Sequence, residues 1–86
     1  MKLVLEIPDE APDTLRFEAA DTDRLSTDVQ NGVPFVYANR SGLLTLAKIL
    51  IQVASENRRD GFHVHLQKDF DPEKPDTLTV CLDDSN

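Results

Sequence analysis

The stretch Ser41-Gly42-Leu43-Leu44-Thr45-Leu46-Ala47-Lys48-Ile49-Leu50-Ile51-Gln52-Val53-Ala54-Ser55-Glu56-Asn57 decides how this chain is read. It carries a sustained helical period, so it predicts a single helix over about 41–57. At 100° per residue, Thr45, Lys48, Gln52, Ser55 and Glu56 share a polar sector of roughly 100°. Leu43, Leu46, Ala47, Leu50, Val53 and Ala54 fill the opposite side. Leu44, Ile49 and Ile51 spread toward the polar edge, so the apolar arc reaches roughly 220°, about twice the stripe that suffices for a helix lying on one sheet. Such a helix asks to be covered from more than one direction, by loops of its own chain or by a second chain. A homodimer is therefore expected, with Leu44, Ile49 and Ile51 as the self-association residues.

Asn39-Arg40-Ser41-Gly42 leads into the helix, with Ser41 or Asn39 as the N-cap. An anion site on the amides beside Gly42 is conceivable, but a plain cap is the simpler reading. Asn57-Arg58-Arg59-Asp60-Gly61 closes the helix, because cations suit the last carbonyls and glycine suits the turn. Before it, Leu25 to Ala38 holds Asn31-Gly32 between two strand-like runs. That dipeptide accommodates the positive φ angles of a type I′ hairpin turn. A two-residue loop then pairs Val29 with Pro34, Thr27 with Val36 and Leu25 with Ala38. Phe35 and Tyr37 fall on the other face, opposite Asp28 and Ser26. After the helix, Phe62 to Gln67 and Thr77 to Leu82 alternate with period two. Phe62, Val64, Leu66, Leu78, Val80 and Leu82 face the helix; His63, His65, Gln67, Thr77, Thr79 and Cys81 face outward. The acidic connection Lys68 to Asp76 is long for a hairpin and is expected to be mobile. Lys2 to Ile7 and Leu15 to Ala19 also alternate, predicting an N-terminal hairpin.

The fold class that follows is a single α+β domain over residues 1–86. It has two layers: an antiparallel or mixed sheet of four to six strands, with one helix packed on one face. One helix is too little to cover so many strands, a second reason to expect another chain.

Composition narrows the function. Nine basic against sixteen acidic residues give a net charge of −7, with the cations scattered apart from Arg58-Arg59. A phosphate-backbone binder needs clustered Lys and Arg, so nucleic acid is not an expected partner. The apolar runs are too short to span a bilayer, and the first residues do not make a signal peptide. Neither membrane association nor a disulfide from the lone Cys81 is expected. The chain reads as a cytoplasmic bacterial protein, with secretion by a non-classical signal left open. Its acids suit either plain solubility or a surface complementary to a basic partner.

The chemistry-bearing patterns are weak. His63-x-His65 places two imidazoles on one strand face, and a zinc site can be drawn with Cys81 or Glu18, but no second Cys or His pair supports it. Asp69-x-Asp71-x-Glu73 opens like a calcium loop, yet Lys74 occupies the position where glycine is needed. Cys81 with a histidine lacks an orienting third group or oxyanion donors. No catalytic, cofactor or metal residue is assigned, and no enzyme is expected. A mixed aromatic and polar outer face, by contrast, is of the kind that docks protein. The partner-binding candidates are Phe35, Tyr37, His63 and His65, with Asp69, Asp71 and Glu73 of the acidic loop.

Tyr37-Ala38-Asn39-Arg40-Ser41-Gly42-Leu43-Leu44-Thr45-Leu46-Ala47, followed by Phe62-His63-Val64-His65-Leu66, resembles the immunity protein 32 family of polymorphic toxin systems. The pattern is an aromatic and Asn entry, then Gly-Leu and Leu-Ala within the helix, then His-x-His-Leu on a strand. The resemblance covers roughly residues 35 to 82. It implies a non-enzymatic α+β protein that binds and neutralises a cognate toxin, and the acidic charge suits a basic one. The alternative is a self-associating structural or assembly protein; a third reading is metal binding through His63 and His65.

Overall fold

The computed structural model describes residues 2, 4–7 and 10–85. Its elements are β1 (Leu25–Gln30), β2 (Val33–Ala38), α1 (Arg40–Val53), β3 (His63–Gln67), a 3₁₀ turn (Lys68–Phe70) and β4 (Asp76–Cys81). The protein is α+β, with one α-helix and four strands among the described residues. The strands form two separate antiparallel ribbons, β1–β2 and β3–β4, rather than the single sheet expected.

The first ribbon has the anticipated register, Leu25 opposite Ala38 and Val29 opposite Pro34. Asn31 and Gly32 turn it with φ of 54° and 78°, which a type I′ turn requires at both central positions. Pro34 lies on β2, the strand whose second edge is unpaired in this ribbon, where a missing N–H is harmless. In the second ribbon Leu66 pairs with Leu78 but Gln67 pairs with Asp76, so Thr77 is an extra, bulged residue. Its carbonyl and hydroxyl meet the Thr27 hydroxyl at 2.6 and 2.7 Å. The bulge thus substitutes a side-chain contact between β1 and β4 for a continuous ladder.

The core is Leu25, Leu46, Ile49, Val53, Leu66 and Phe70. Phe62, Val64, Leu78, Val80 and Leu82 pack against it from the inner face of β3–β4 and its extension, as the alternation predicts.

The helix is rotated from its expected setting. Gln52 is buried and Thr45 half-buried, while Leu43, Leu44, Leu50 and Ile51 are exposed. What covers the polar sector is the segment 10–24, which is not a strand. The predicted N-terminal hairpin is absent among the described residues, and the part of it on Leu3 lies outside them. A non-strand segment leaves backbone polar groups in need of partners, and polar side chains of the helix and of the turn after it serve them. Gln52 Nε2 donates to Arg16 O at 2.7 Å, and Asn57 Nδ2 donates to Glu10 O at 2.8 Å. Arg58 donates to the carbonyls of Ala11 and Thr14 and to the Glu10 carboxylate at 3.2 Å, all in a buried setting. Its Nε also takes the Gln52 carbonyl at 3.1 Å, and Ser55 Oγ takes the same oxygen at 2.9 Å. These contacts use a last-turn carbonyl of the helix, which ends at Val53 instead of continuing to Asn57.

Asn39 is the N-cap, its Oδ1 accepting from Gly42 N at 2.9 Å and from Arg24 N at 3.0 Å. Its Nδ2 donates to Thr22 O at 2.7 Å. One side chain therefore caps the helix and fastens the 22–24 loop to it. Gly42 is buried because the Arg24 backbone passes where a Cβ would stand.

Candidate protein-binding surfaces

Phe35 and Tyr37 project from β2 on the face shared with Ser26 and Asp28. They are 40% and 45% exposed. Their rings stack with centroids 6.1 Å apart, and Gln30 Nε2 donates to the Tyr37 hydroxyl at 2.8 Å. Two large rings held in place in solvent lose little side-chain freedom when covered. Val29 and Val36 are exposed on the opposite face, so the distal half of the hairpin presents apolar surface on both sides.

The outer face of β3–β4 carries His63, His65, Thr79 and Cys81, all exposed. His65 Nδ1 lies 2.8 Å from Thr79 Oγ1 and 3.9 Å from Asp76 Oδ2. His63 Nδ1 lies 3.0 Å from Gly61 O, and the two rings stand edge to face at 5.0 Å. These residues and the Phe35–Tyr37 pair, expected on one outer face, are on different ribbons.

The acidic connection divides into two parts. Asp69 and Phe70 both have positive φ, 56° and 55°, a conformation that turns the chain sharply. The turn seats Phe70 in the core, edge to face with Phe17 at 6.0 Å, and aims Asp69 at β1. The Asp69 carboxylate accepts from Leu25 N at 3.0 Å and from Lys74 Nζ at 2.8 Å. The Lys74 hydrogen bond and then the Leu25 amide hold its carboxyl below the usual range. Asp69 is thus spoken for within the fold, and the connection expected to be mobile is anchored at this point. Asp71 and Glu73 remain at the surface, half-buried and exposed.

On the helix, Leu43, Leu44, Leu50 and Ile51 are each 43% to 50% exposed. Ile49 is fully buried in the core and is removed from the self-association surface, because the helix's rotation turns it inward between Leu46 and Val53. With Ala47 and Ala54, the exposed residues lie within an arc of about 120° that is apolar but for Arg40 in the first turn.

Sequence reasoning missed two buried carboxylates that hold the helix. Asp23 accepts from Thr45 Oγ1 at 2.6 Å and from Ala20 N at 3.2 Å. The Thr45 hydrogen bond, followed by Ser41, depresses its pKa. Glu10 receives Arg58 and the Arg16 amide, the latter at 2.8 Å. The available signal is the polar helix sector itself, which periodicity alone would turn toward solvent.

Among the described residues no group of three His, Cys, Asp or Glu side chains is arranged to hold a metal ion, and no helix is long and apolar enough to cross a membrane. A groove of 320 Å³ between the N-terminal segment and α1 is lined by Glu6, Ile7, Arg16, Phe17, Glu18, Thr45, Lys48 and Gln52. It includes no histidine or cysteine.

Comparison with curated proteins and with solved structures gives no match. The family model of immunity protein 32 matches residues 35–83, more than half of the chain. The match begins within β2, takes in the Asn39 cap, Gly42, the helix and the His63-x-His65 strand, and ends just past β4. The braces from Glu10, Thr22, Asp23 and Arg24 lie before it. Spanning the helix and both strands of the second ribbon, that match carries the assignment: the chain belongs to the immunity protein 32 family.

Proposed function

We propose that the protein is a non-enzymatic immunity protein that binds a cognate toxin and neutralises it. The observation that carries this reading is the family match over residues 35–83. In this reading the toxin is basic, because a charge of −7 on the immunity protein favours rapid encounter with a cation-rich surface. The contact surface comprises Phe35 and Tyr37 with His63, His65, Asp71 and Glu73, and the complex forms in the cytoplasm. Phe35 and Tyr37 supply the apolar anchor, since aromatic residues dominate binding energy at protein interfaces.

The test is recovery from host lysate at low and high salt, with each recovered protein then expressed alone and beside the immunity protein. Support requires a partner that is toxic alone, harmless when co-expressed and released at high salt. Truncation of Phe35 or Tyr37 to alanine should weaken that complex at least thirtyfold, the effect of losing about 2 kcal/mol at a hot spot. Unchanged toxicity on co-expression removes the reading; unchanged affinity in both variants removes the surface.

A second reading is favoured by the apolar helix face. Leu43, Leu44, Leu50 and Ile51 would pair two copies of the chain. This is compatible with toxin binding on the ribbons, and sedimentation velocity at micromolar concentration distinguishes monomer from dimer.

A further inference from the structure

We propose that His63 and His65 form a two-imidazole chelate for a borderline divalent transition ion, with Cu²⁺ bound more tightly than Ni²⁺. The argument begins with the tautomers. A carbonyl oxygen only accepts, so the 3.0 Å contact from His63 Nδ1 to Gly61 O places the proton of the neutral ring on Nδ1. On His65, Nδ1 faces the Thr79 hydroxyl at 2.8 Å with the Asp76 carboxylate beyond it at 3.9 Å. That side again favours a proton on Nδ1. Both Nε2 atoms are then left with a free lone pair on exposed rings, and among the described residues neither Nε2 has a hydrogen-bond partner. Metal-ligating histidines are typically oriented in this way, one nitrogen held by a carbonyl, hydroxyl or carboxylate and the other free to ligate.

The spacing suits one ion. Residues two apart on a strand are separated by about 6.6 Å along the chain, yet the rings have closed to 5.0 Å between centroids. An ion about 2.0–2.1 Å from each nitrogen sits about 3.2 Å from each ring centroid, so angles of 90° to 109° at the metal require centroids about 4.5–5.2 Å apart. The observed separation falls inside that range. The 80° between ring planes is no obstacle, because each ring can rotate about its own metal–nitrogen bond. Cys81 pairs with His63 across the ribbon but does not complete a three-ligand group. The ion would keep its remaining positions for water. Imidazole donors select copper, nickel and zinc over calcium and magnesium, and affinity peaks at copper.

The inference does not rest on toxin binding and is tested without a toxin. The purified protein is titrated with CuSO₄, NiSO₄ and CaCl₂ by calorimetry, while the imidazole signals of His63 and His65 are followed by NMR under substoichiometric Cu²⁺. Expected are one copper per chain, weaker nickel, no calcium, and joint broadening of both histidines before any other signal. His63→Gln and His65→Gln should each weaken copper binding at least tenfold, while Cys81→Ser leaves it within about threefold. Both histidines are exposed, and circular dichroism checks that the variants keep the fold. Broadening of one histidine without the other, or equal affinity in the two variants and the parent, overturns the chelate. A tenfold loss in Cys81→Ser would also overturn it, pointing to a thiolate site instead.

Discussion

Replacing Gly42 with alanine tests the joint between the helix and the loop that caps it. At an unobstructed helical position this change would stabilise the protein by up to about 1 kcal/mol through helix propensity. Here a Cβ would collide with the Arg24 carbonyl oxygen and stand 2.8 Å from Asn39 Oδ1 and 3.1 Å from Arg24 N. None of these atoms yields cheaply. Two are backbone, and Asn39 is held by Gly42, Arg24 and Thr22 at once. Relief means lifting the 22–24 loop, which adds the loss of a cap worth about 1 kcal/mol to an overpacking cost of about 1–3 kcal/mol. Offsetting the propensity gain leaves a net destabilisation of about 2 kcal/mol. With a urea m-value of about 1 kcal/mol/M for a small domain, the midpoint should fall by about 2 M. Equilibrium urea unfolding followed by circular dichroism reads this directly. In an Asn39→Ala background the same substitution should cost less, since the cap is already gone and the two sites couple. A midpoint equal to or above that of the parent would refute the claim that Gly42 is there for close approach.

Breaking the Arg58–Glu10 pair with Arg58→Ala strands a buried carboxylate and should cost about 3–5 kcal/mol, lowering Tm by more than about 10 °C in a thermal melt. Asp23 and Asp69 both titrate below their ordinary value of 3.8. Acid therefore protonates them in the unfolded chain before the folded one, and their stabilisation, complete above that value, is lost as pH falls through the folded values. Urea midpoints should accordingly decline below about pH 4, and Asp23→Asn should flatten the decline. Ile49→Ala should cost about 2–5 kcal/mol as a core truncation, whereas Ile51→Lys should leave stability within about 0.5 kcal/mol. If helix faces pair, Ile51→Lys should also shift sedimentation toward monomer.

Where local rules act alone, the chain was legible. Asn31-Gly32 demands positive φ at two successive positions, so the turn and with it the Leu25–Ala38 register follow from one dipeptide. The alternation in Phe62–Gln67 and Thr77–Leu82 places Val64, Leu66, Leu78 and Val80 inward and both histidines outward, because a strand has only two faces. The family resemblance could be read from Asn39, Gly42 and His63-x-His65, residues close enough in sequence to form recognisable motifs.

What the sequence by itself determined, then, is the identity of the helix and of the four strands found among the described residues, the hairpin pairing, and the family. Only the tertiary structure decided which way the helix faces. Periodicity finds an amphipathic axis but assumes that the polar side meets water. In this protein Gln52, Thr45 and Arg58 turn toward a non-strand segment whose carbonyls and carboxylates, on Glu10, Ala11, Thr14, Arg16 and Asp23, need donors. Those partners are separated by 22 to 48 residues, so no window of sequence contains both halves of the interaction. The same distance explains why Asp69, read as a surface acid, proved to be a bond to the Leu25 amide 44 residues away, and why Ile49 is core while Ile51 is surface. Burial belongs to the assembled chain, and the cost of leaving a buried polar group without a partner selects the face that turns inward.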